Sequence, residues 1–348
     1  MVTGGAGFIG ANFVYHWAEH HPNDTLVVFD ALTYAGNRAS LAPLEAAGSV
    51  HFVHADICDA PAVAKAIADY GVNTLVHFAA ESHVDRSIAG PDAFIQTNLV
   101  GTHTLLAAAR AAWLKGSGFE HRFHHVSTDE VFGSLEPTAP AFTEHLRYQP
   151  NSPYSASKAG SDHLVRAYHH TYGLNVTTSN CSNNYGPFHF PEKLIPLCLT
   201  HILDGKPLPV YGDGSNIRDW LYVGDHARGI ERVIVDGVAG ETYNIGGRNE
   251  WANIDIVKLL CELLNQRFAH DPSLALRYPR SPAASGEAET LISYVDDRAG
   301  HDWRYAIDAG KIERELGFTP EETFETGITK TLDWYLANEH WWRPLVTP

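Results

Sequence analysis

The segment that most constrains the fold is TGGAGFIG at residues 3–10, in which the glycines follow a GxxGxxG pattern. Glycines at this spacing allow a tight turn, let the backbone approach a pyrophosphate and pack a helix against a sheet. The next stretch, FIGANFVYHWAEHH, has the spacing of an amphipathic helix, whose first N–H groups would face the anion. The segment therefore predicts a dinucleotide-binding turn. Its predicted binding residues are Gly4, Gly7, Phe8, Ile9 and Gly10.

A second apolar segment, TLVVFD, ends in Asp30, twenty residues after Gly10. An acidic side chain at this position accepts hydrogen bonds from ribose hydroxyls, and its charge repels an additional 2'-phosphate. The sequence therefore predicts NAD, rather than NADP, as the cofactor. Asp56 and Ile57 follow the next apolar segment, where they either flank an adenine or form a strand-end turn. The apolar segment at 72–80 ends in small side chains, which would let the cofactor lie close to the backbone. The cofactor residues predicted here are Ala79, Ala80 and Glu81.

Apolar strand-like segments alternate with Ala- and Leu-rich helical segments through the first half of the chain. The predicted strands after the glycine turn cover 25–30, 50–57, 72–80, 119–128 and 174–186. This alternation predicts the α/β class, with a doubly wound parallel Rossmann sheet. After Gly186 prolines cluster and the pattern becomes irregular, which predicts a smaller, interleaved C-terminal substrate lobe. The predicted NAD-binding domain is 1–186 with returning segments at about 214–243 and 301–320, and the predicted lobe is 187–213, 244–300 and 321–348.

Composition excludes several functional classes. The 348 residues carry a formal net charge of -16, and such a surface repels phosphate backbones, so no nucleic-acid partner is expected. No apolar run approaches the roughly 20 residues of a membrane helix, so no membrane association is expected. No HExxH or CxxC motif occurs, so no metal site is expected. The widely spaced cysteines indicate reduced thiols in a cytoplasmic protein, and they are Cys58, Cys181, Cys198 and Cys261.

The segment SPYSASKAGSDHLVRAY begins with a serine- and proline-containing cap and continues as a predicted helix. Tyr154 and Lys158 are four residues apart and share one helix face. The nearby ammonium is expected to lower the pKa of the phenol, which could then take a hydroxyl proton while a hydride leaves for a nicotinamide. The alternative is an ordinary exposed helix pair. The upstream glycine turn and the Ser127–Thr128 pair, in this order, favour the catalytic interpretation.

The segment STDEVFG at residues 127–133 follows the apolar run FHHV and places Asp129 beside Glu130. Adjacent carboxylates at the end of a predicted strand either belong to a solvated loop or act as an acid and a base. Local sequence alone leaves both interpretations open.

The glycine turn, STDEVFG and YSASK together resemble the extended short-chain dehydrogenase/reductase family. Nearly the whole chain resembles more specifically the dTDP-glucose 4,6-dehydratases of that family, in segments such as LTYAGN, FAAESHVDRSI, TNLVGTHTLL, SNCSNNYGPFHFPEKLIPL and KPLPVYGDGSNIRDWLYV. The resemblance implies a lyase that converts dTDP-glucose to dTDP-4-keto-6-deoxyglucose. Carbon 4 is oxidised, water leaves across carbons 5 and 6, and the hydride returns to carbon 6. It also implies tightly bound NAD and a homodimer.

The resemblance assigns a role to each polar residue of the catalytic segments. Thr128 would hydrogen-bond the 4-oxygen of the sugar, Asp129 would protonate the leaving 6-hydroxyl, and Glu130 would remove the proton on carbon 5. Tyr154 would be the base at the 4-hydroxyl, and Lys158 would position Tyr154 and the nicotinamide ribose. Two carboxylates with opposite tasks at one pH require environments that separate their pKa values.

The resemblance also implies further contacts. Thr97 and Asn183 would join the cofactor site. The implied substrate contacts are Ser82, Thr128, Asn183, Glu192, Lys193, Leu194, Lys206, Pro209, Tyr211, Arg218, Asn253, Arg298 and His301. For Arg218 a structural ion pair with the adjacent Asp219 is the alternative.

Other functions fit the same fold. A sugar-nucleotide 4-epimerase would need Tyr154 but no elimination pair, so Asp129 and Glu130 argue against it. A UDP-sugar-specific 4,6-dehydratase would recognise a base that lacks one methyl group. A methyl group is worth only about 1–3 kcal/mol in binding, so the sequence leaves this alternative open. A non-catalytic relative would be expected to lack some of these catalytic groups. The Ala-rich helices near 95–113 and 153–170 either pair with their copies in a dimer or are covered within the chain.

Overall fold

The computed structural model describes residues 1–115, 120–297 and 301–346. The strands are β1 (Val2–Thr3), β2 (Val27–Asp30), β3 (His51–His54), β4 (Thr74–His77), β5 (Arg122–Thr128), β6 (Val176–Cys181), β7 (Asn183–Tyr185), β8 (Leu208–Tyr211), β9 (Ile217–Tyr222), β10 (Thr242–Ile245), β11 (Glu250–Ala252) and β12 (Ile292–Val295). Strands β2 and β6 are buried along their whole length, as expected for parallel strands covered by helices on both faces.

The helices are α1 (Phe8–His20), α2 (Ala42–Ala46), α3 (Ala60–Asp69), α4 (Val84–Ala89), α5 (Asp92–Phe94), α6 (Thr102–Trp113), α7 (Pro153–Tyr172), α8 (Leu194–Asp204), α9 (Val223–Asp236), α10 (Asn253–His270), α11 (Ser273–Arg277), α12 (Gly310–Leu316), α13 (Phe324–Ala337) and α14 (Glu339–Val346). A π-helix at Ile95–Gly101 leads into α6, and a 3-10 turn at Asp129–Phe132 follows β5. Within the described ranges, no helix has the length and apolarity needed to traverse a bilayer.

Seven strands form one parallel sheet in the order β10-β6-β5-β4-β1-β2-β3. This sheet confirms the predicted doubly wound Rossmann fold. Chain connections lead outward from β1 through β2 to β3, and outward from β4 through β5 to β6 on the other side. The order therefore reverses between β1 and β4, and ligands of such sheets bind outside the carboxyl ends of the strands at this point.

The last predicted strand of the first half, at 174–186, is divided in the structure. Its first part is β6 of the large sheet, whereas β7 leaves that sheet and pairs with β9, which in turn pairs with β11. The remaining pair, β8 and β12, forms a separate parallel ribbon. These two small sheets and α8, α10 and α13 surround an apolar core of their own. The domain boundaries given above remain a prediction.

Candidate active site

A cleft of about 790 Å³ opens at the carboxyl ends of the parallel strands. The predicted cofactor residues that line it are Gly4, Gly7, Phe8, Ile9, Gly10, Asp30, Asp56, Ile57, Ala79, Ala80, Glu81, Thr97, Tyr154, Lys158 and Asn183. The predicted substrate and catalytic residues that line it are Ser82, Thr128, Asp129, Glu130, Glu192, Lys193, Leu194, Pro209, Tyr211, Arg218, Asn253 and His301. Residues from six strands and from the C-terminal segments thus converge on one site.

Two predicted substrate residues are not part of this lining. Lys206 lies just after α8, where the left-handed Gly205 ends the helix, and its Nζ is 3.2 Å from Asp204 Oδ2. This ammonium is therefore paired with the carboxylate at the end of α8. Arg298 lies outside the described residues.

The glycine turn is packed so closely that side chains would not fit. Gly4 has φ +69°, and a Cβ added to it would lie 2.6 Å from the backbone nitrogen of Ala79. A Cβ on Gly10 would lie 2.2 Å from the carbonyl oxygen of Gly4. Gly7 precedes α1 as its N-cap and has no side chain to occupy the free N–H groups. The backbone therefore forms a cradle with the shape and donors that a pyrophosphate requires.

Asp30 is fixed at the end of β2 by the backbone of the glycine turn. Its Oδ2 accepts a hydrogen bond from Ala6 N at 2.9 Å, and its Oδ1 accepts one from Leu32 N at 2.8 Å. Burial raises the pKa of Asp30, while these two backbone donors act in the opposite direction. The carboxylate is thus held rigidly in the wall of the cleft, where ribose hydroxyls would find an acceptor. This geometry fits the predicted dinucleotide.

Asn98 was not predicted, yet it joins three elements of the site. Its Oδ1 accepts from Glu81 N at 2.9 Å, and its Nδ2 donates to Glu81 O at 3.0 Å and to Ser157 Oγ at 2.8 Å. Ser157 Oγ in turn donates to the carbonyl oxygen of Tyr154 at 2.7 Å. Asn98 lies in the π-helix, a conformation that is frequent at functional sites. Its position beside Thr97 in the TNLVGTHTLL segment was the available sequence signal.

Tyr154 and Lys158 lie in the first two turns of α7, which begins with a reciprocal cap between Ser152 and Ser155. Both side chains are buried, and Lys158 Nζ donates to Val126 O at 2.9 Å. The expectation that the ammonium lowers the pKa of the phenol is wrong for this arrangement. Burial, followed by the charge of Glu130, raises the pKa of Tyr154 well above its usual value. Burial also lowers the pKa of Lys158 itself, which weakens its effect.

The adjacent carboxylates occupy different environments. Asp129 is buried, and Thr128 Oγ1 donates to its Oδ1 at 3.4 Å, whereas its Oδ2 has no hydrogen-bond partner among the described residues. Burial, then the charges of Glu130 and Asp219, raises the pKa of Asp129 well above the usual range. Glu130 is only half-buried, and its backbone N–H donates to Thr128 Oγ1 at 3.3 Å. This segment is therefore not a solvated loop, and burial of Asp129 favours its protonated form.

Arg218 is held by backbone carbonyls beside the cleft. Its Nη1 donates to Ile217 O at 2.7 Å and its Nη2 donates to Asp302 O at 3.0 Å, while its guanidinium lies 4.3 Å over the ring of Tyr305. The carboxylate of Asp219 instead accepts backbone N–H groups from another segment. Neighbouring residues of a strand point to opposite faces, which explains why these two side chains have different partners.

A group of charged and aromatic side chains joins the two sides of the cleft. Arg86 Nη2 lies 3.1 Å from Glu192 Oε2, and its guanidinium lies 3.9 Å over the ring of Tyr34. Lys193 Nζ donates to Ser82 O at 3.4 Å. The segments after β2, after β4 and before α8 are thereby connected.

Lining residues that the sequence analysis did not assign include Tyr34, His83, Cys181, Trp220 and Tyr305. The first four of these lie within segments that carried the family resemblance.

Known proteins are similar to this chain along almost its whole length. The family model described as GDP-mannose 4,6 dehydratase matches residues 1–331. A curated dTDP-glucose 4,6-dehydratase of Escherichia coli is 54% identical, over 99% of this chain and 95% of its own length. This chain belongs to the dTDP-glucose 4,6-dehydratase family. A further family member, from Neisseria meningitidis serogroup B, is 55% identical over 99% of this chain and 94% of its own.

Solved structures of the family have the same architecture. DesIV, the dTDP-glucose 4,6-dehydratase of Streptomyces venezuelae with NAD bound, is 48% identical with a TM-score of 0.87, over 99% of this chain and 98% of that chain. A UDP-glucose 4-epimerase of Thermotoga maritima is 24% identical with a TM-score of 0.82, over 97% and 98% of the two chains. The likeness to this epimerase shows the fold alone.

Within the described residues, no group of three or more His, Cys, Asp or Glu side chains is placed to hold a metal ion.

Proposed function

We propose that this protein is an NAD-dependent sugar-nucleotide 4,6-dehydratase that converts dTDP-glucose to dTDP-4-keto-6-deoxyglucose. The observation that carries the proposal is the pairing of a buried Asp129, whose pKa is raised, with a half-buried Glu130, next to Tyr154 in one cleft. A dehydratase needs this acid and this base, whereas an epimerase needs neither. The dTDP-glucose 4,6-dehydratases at 54–55% identity support the same conclusion.

The proposed cofactor site uses the cradle at the end of β1. The N–H groups at the start of α1 would hold the pyrophosphate of NAD, and Asp30 would accept the ribose hydroxyls. When bound, NAD supplies a hydride acceptor for the sugar and returns the same hydride later in the cycle. Lys158 lines the cleft and would hold the second ribose, because its ammonium can donate further hydrogen bonds besides the one to Val126 O.

Oxidation of the sugar requires a base for the proton of the 4-hydroxyl. Tyr154 is proposed as that base, and its hydrogen bond to Thr128 favours the phenolate. The surrounding groups otherwise hold the phenol protonated, so the positive charge of oxidised nicotinamide is needed beside it to favour proton loss. Proton uptake by Tyr154 is therefore expected only when cofactor and substrate are both in place.

Elimination requires two carboxyl groups in opposite protonation states at one pH, a protonated one as the acid and an ionised one as the base. Asp129 carries a proton and would donate it to the departing 6-hydroxyl, which then leaves as water. Glu130 is less buried and would remove the proton on carbon 5, which the ketone at carbon 4 has made acidic. The two adjacent side chains thus differ in task because the fold buries them differently.

Binding of the nucleotide diphosphate is proposed to depend on cations at the C-terminal side of the cleft. Arg218 and Lys193 line the cleft and carry positive charge in a protein whose net charge is -16. Charge-assisted hydrogen bonds to phosphate oxygens would compensate the two substrate charges. Pro209 and Tyr211 at β8 would contact the base, with Asn253 and His301 nearby in the lining.

The decisive test is incubation of the purified protein with dTDP-glucose in the absence of added NAD. We expect a 4-keto-6-deoxy product and full recovery of oxidised cofactor. Parallel incubation with UDP-glucose determines the preference for the base, and Tyr154→Phe serves as the inactive control. If neither substrate gives product, with or without added NAD, the proposed function is wrong.

We propose further that the protein is a cytoplasmic homodimer. Exposed apolar side chains lie on the π-helix and on α7, with 46% of Ile95, 41% of Val100 and 41% of Tyr172 accessible. Pairing of these faces between two copies would bury them. Sedimentation that finds only monomer at micromolar concentration would contradict the dimer. Alkylation of Cys58 in intact cells, showing that this half-buried thiol stays reduced, would support the cytoplasmic assignment.

A further inference from the structure

A short segment at residues 186–190, here named the strap, crosses α1 on its way from β7 to α8. The ring of His189 stacks on the ring of Phe8, with 4.1 Å between centroids and 11° between planes. Asn12 Nδ2 donates to the carbonyl oxygen of Pro187 at 2.9 Å, and Tyr15 stacks on Phe188 at 5.7 Å. The three α1 partners recur at the spacing of one helix face. The strap therefore lies along the helix that begins at the glycine turn.

The strap is also anchored on its other side. Phe188 has φ +63°, a left-handed conformation that is unfavourable for a residue with a side chain, so packing must impose it. Its ring lies edge-on against Trp334 at 4.9 Å and against Trp341 at 5.6 Å. Tyr335 donates its hydroxyl hydrogen bond to the carbonyl oxygen of His189. Helices α13 and α14 thus hold the strap against α1.

His189 brings this anchor into the cofactor site. It lines the cleft together with Phe8 and Ile9, and its side chain is buried. Its Nδ1 has no hydrogen-bond partner in the described part of the chain, so stacking on Phe8 is the contact that orients the ring. Burial lowers the pKa of His189 to about 3, so the ring is neutral at working pH. The contact is therefore an aromatic one rather than an ionic one.

We propose that the strap retains the dinucleotide, with His189 as a positioning residue that fixes Phe8 at the start of α1. The inference rests on the proposed function. A dehydratase that takes a hydride from carbon 4 and returns it to carbon 6 has no net redox change and needs no cofactor exchange between cycles. The strap joins the start of α1 to the C-terminal helices, and on this proposal that connection resists the movement of the glycine turn by which the dinucleotide would leave.

The test measures exchange of bound NAD for fluorescent etheno-NAD in the purified holoenzyme. His189→Ala removes the stacked ring, and we expect exchange about fivefold faster. His189→Phe keeps a stacked ring and should exchange at nearly the wild-type rate. The matched control is His51→Ala, which removes an exposed histidine from its contact with Tyr70 outside the cleft. Thermal unfolding of each variant separates loss of retention from loss of stability.

Equal exchange rates in His189→Ala and His51→Ala would overturn the proposal, as would equally fast exchange in His189→Phe and His189→Ala. If His189→Ala does not fold, Tyr335→Phe decides, because it removes only the hydroxyl that holds the strap. We expect about threefold faster exchange in that variant, and an unchanged rate would overturn the proposal. Product formation from dTDP-glucose with saturating NAD is measured alongside. If product forms but the variants exchange NAD at the wild-type rate, only the proposed role of the strap is wrong. If the wild-type protein forms no product, the proposed function is wrong.

Discussion

Asp129 is buried and Glu130, its neighbour in the 3-10 turn after β5, is half-buried. Water can therefore stabilise the charge of Glu130 better than that of Asp129. The pKa of Asp129 is raised further by the negative charge of Glu130 itself. One structural difference between adjacent residues thus assigns the acid and the base.

Glu130→Gln should separate oxidation from elimination. The amide cannot take the proton on carbon 5, so reduced cofactor and a 4-keto-glucose should accumulate while dehydration slows by roughly 10²–10⁴. Reduced-nicotinamide absorbance in a single turnover and mass analysis of the sugar nucleotide measure this. Glu136→Gln, at an exposed position nearby, is the matched control. Failure of the variant at hydride transfer itself would show that the role given to Glu130 is wrong.

Asp129→Asn should lower activity and raise stability. The amide cannot donate a proton to the 6-hydroxyl, so turnover should fall by roughly 10²–10⁴. The raised pKa means that the folded protein binds a proton that the unfolded chain releases, so stability declines as pH rises above about 4. The variant lacks this decline, and its Tm should exceed that of wild type at neutral pH by roughly 2 °C for each kcal/mol.

The Tm difference between Asp129→Asn and wild type should disappear below about pH 4, where the unfolded carboxyl is also protonated. Asp236→Asn, which changes an exposed carboxylate near Arg232, should show no such trend. A variant that is less stable than wild type at neutral pH would contradict the protonated state of Asp129.

Asp162→Asn should shift the pH profile of kcat through Lys158. Burial lowers the pKa of Lys158, and the negative charge of Asp162 opposes this effect. The carboxylate of Asp162 is hydrogen-bonded to His125 Nε2 at 3.0 Å and to Ser127 Oγ at 2.9 Å. Without this carboxylate the ammonium loses its proton at lower pH. The basic limb of the kcat profile should therefore move to lower pH. An unmoved limb, with the same profile as Asp236→Asn, would show that Asp162 does not influence Lys158.

Gly10→Ala should abolish cofactor binding, since its Cβ would lie 2.2 Å from Gly4 O. Either the turn opens or α1 shifts, and both remove the cradle. Gly90→Ala is the matched control, because its Cβ meets no atom within 4 Å and its φ is −159°. Cofactor content after gel filtration, measured by absorbance of the denatured protein, distinguishes the two. Retention of stoichiometric NAD by Gly10→Ala would contradict the proposed cradle.

The sequence predicted those features that depend on neighbours along the chain. The glycine turn, the end of β2 at Asp30 and the spacing of Tyr154 and Lys158 on one helix face follow from local backbone geometry. The alternation of strands and helices predicted the parallel sheet, and with it the edge at which the polar residues meet. The family resemblance added the roles of Thr128 and of the two carboxylates.

The tertiary structure determined the features that depend on burial and on distant segments. Asn98 reaches Glu81 and Ser157, which lie 17 and 59 residues away, so no local pattern predicted it. The pKa of Tyr154 was predicted in the wrong direction because the helix spacing shows the nearby ammonium but not the loss of water around the phenol. The sequence by itself therefore determined which chemical groups are present and where the chain turns. Only the tertiary structure determined which of these groups are shielded from water, because desolvation depends on everything that packs around a group.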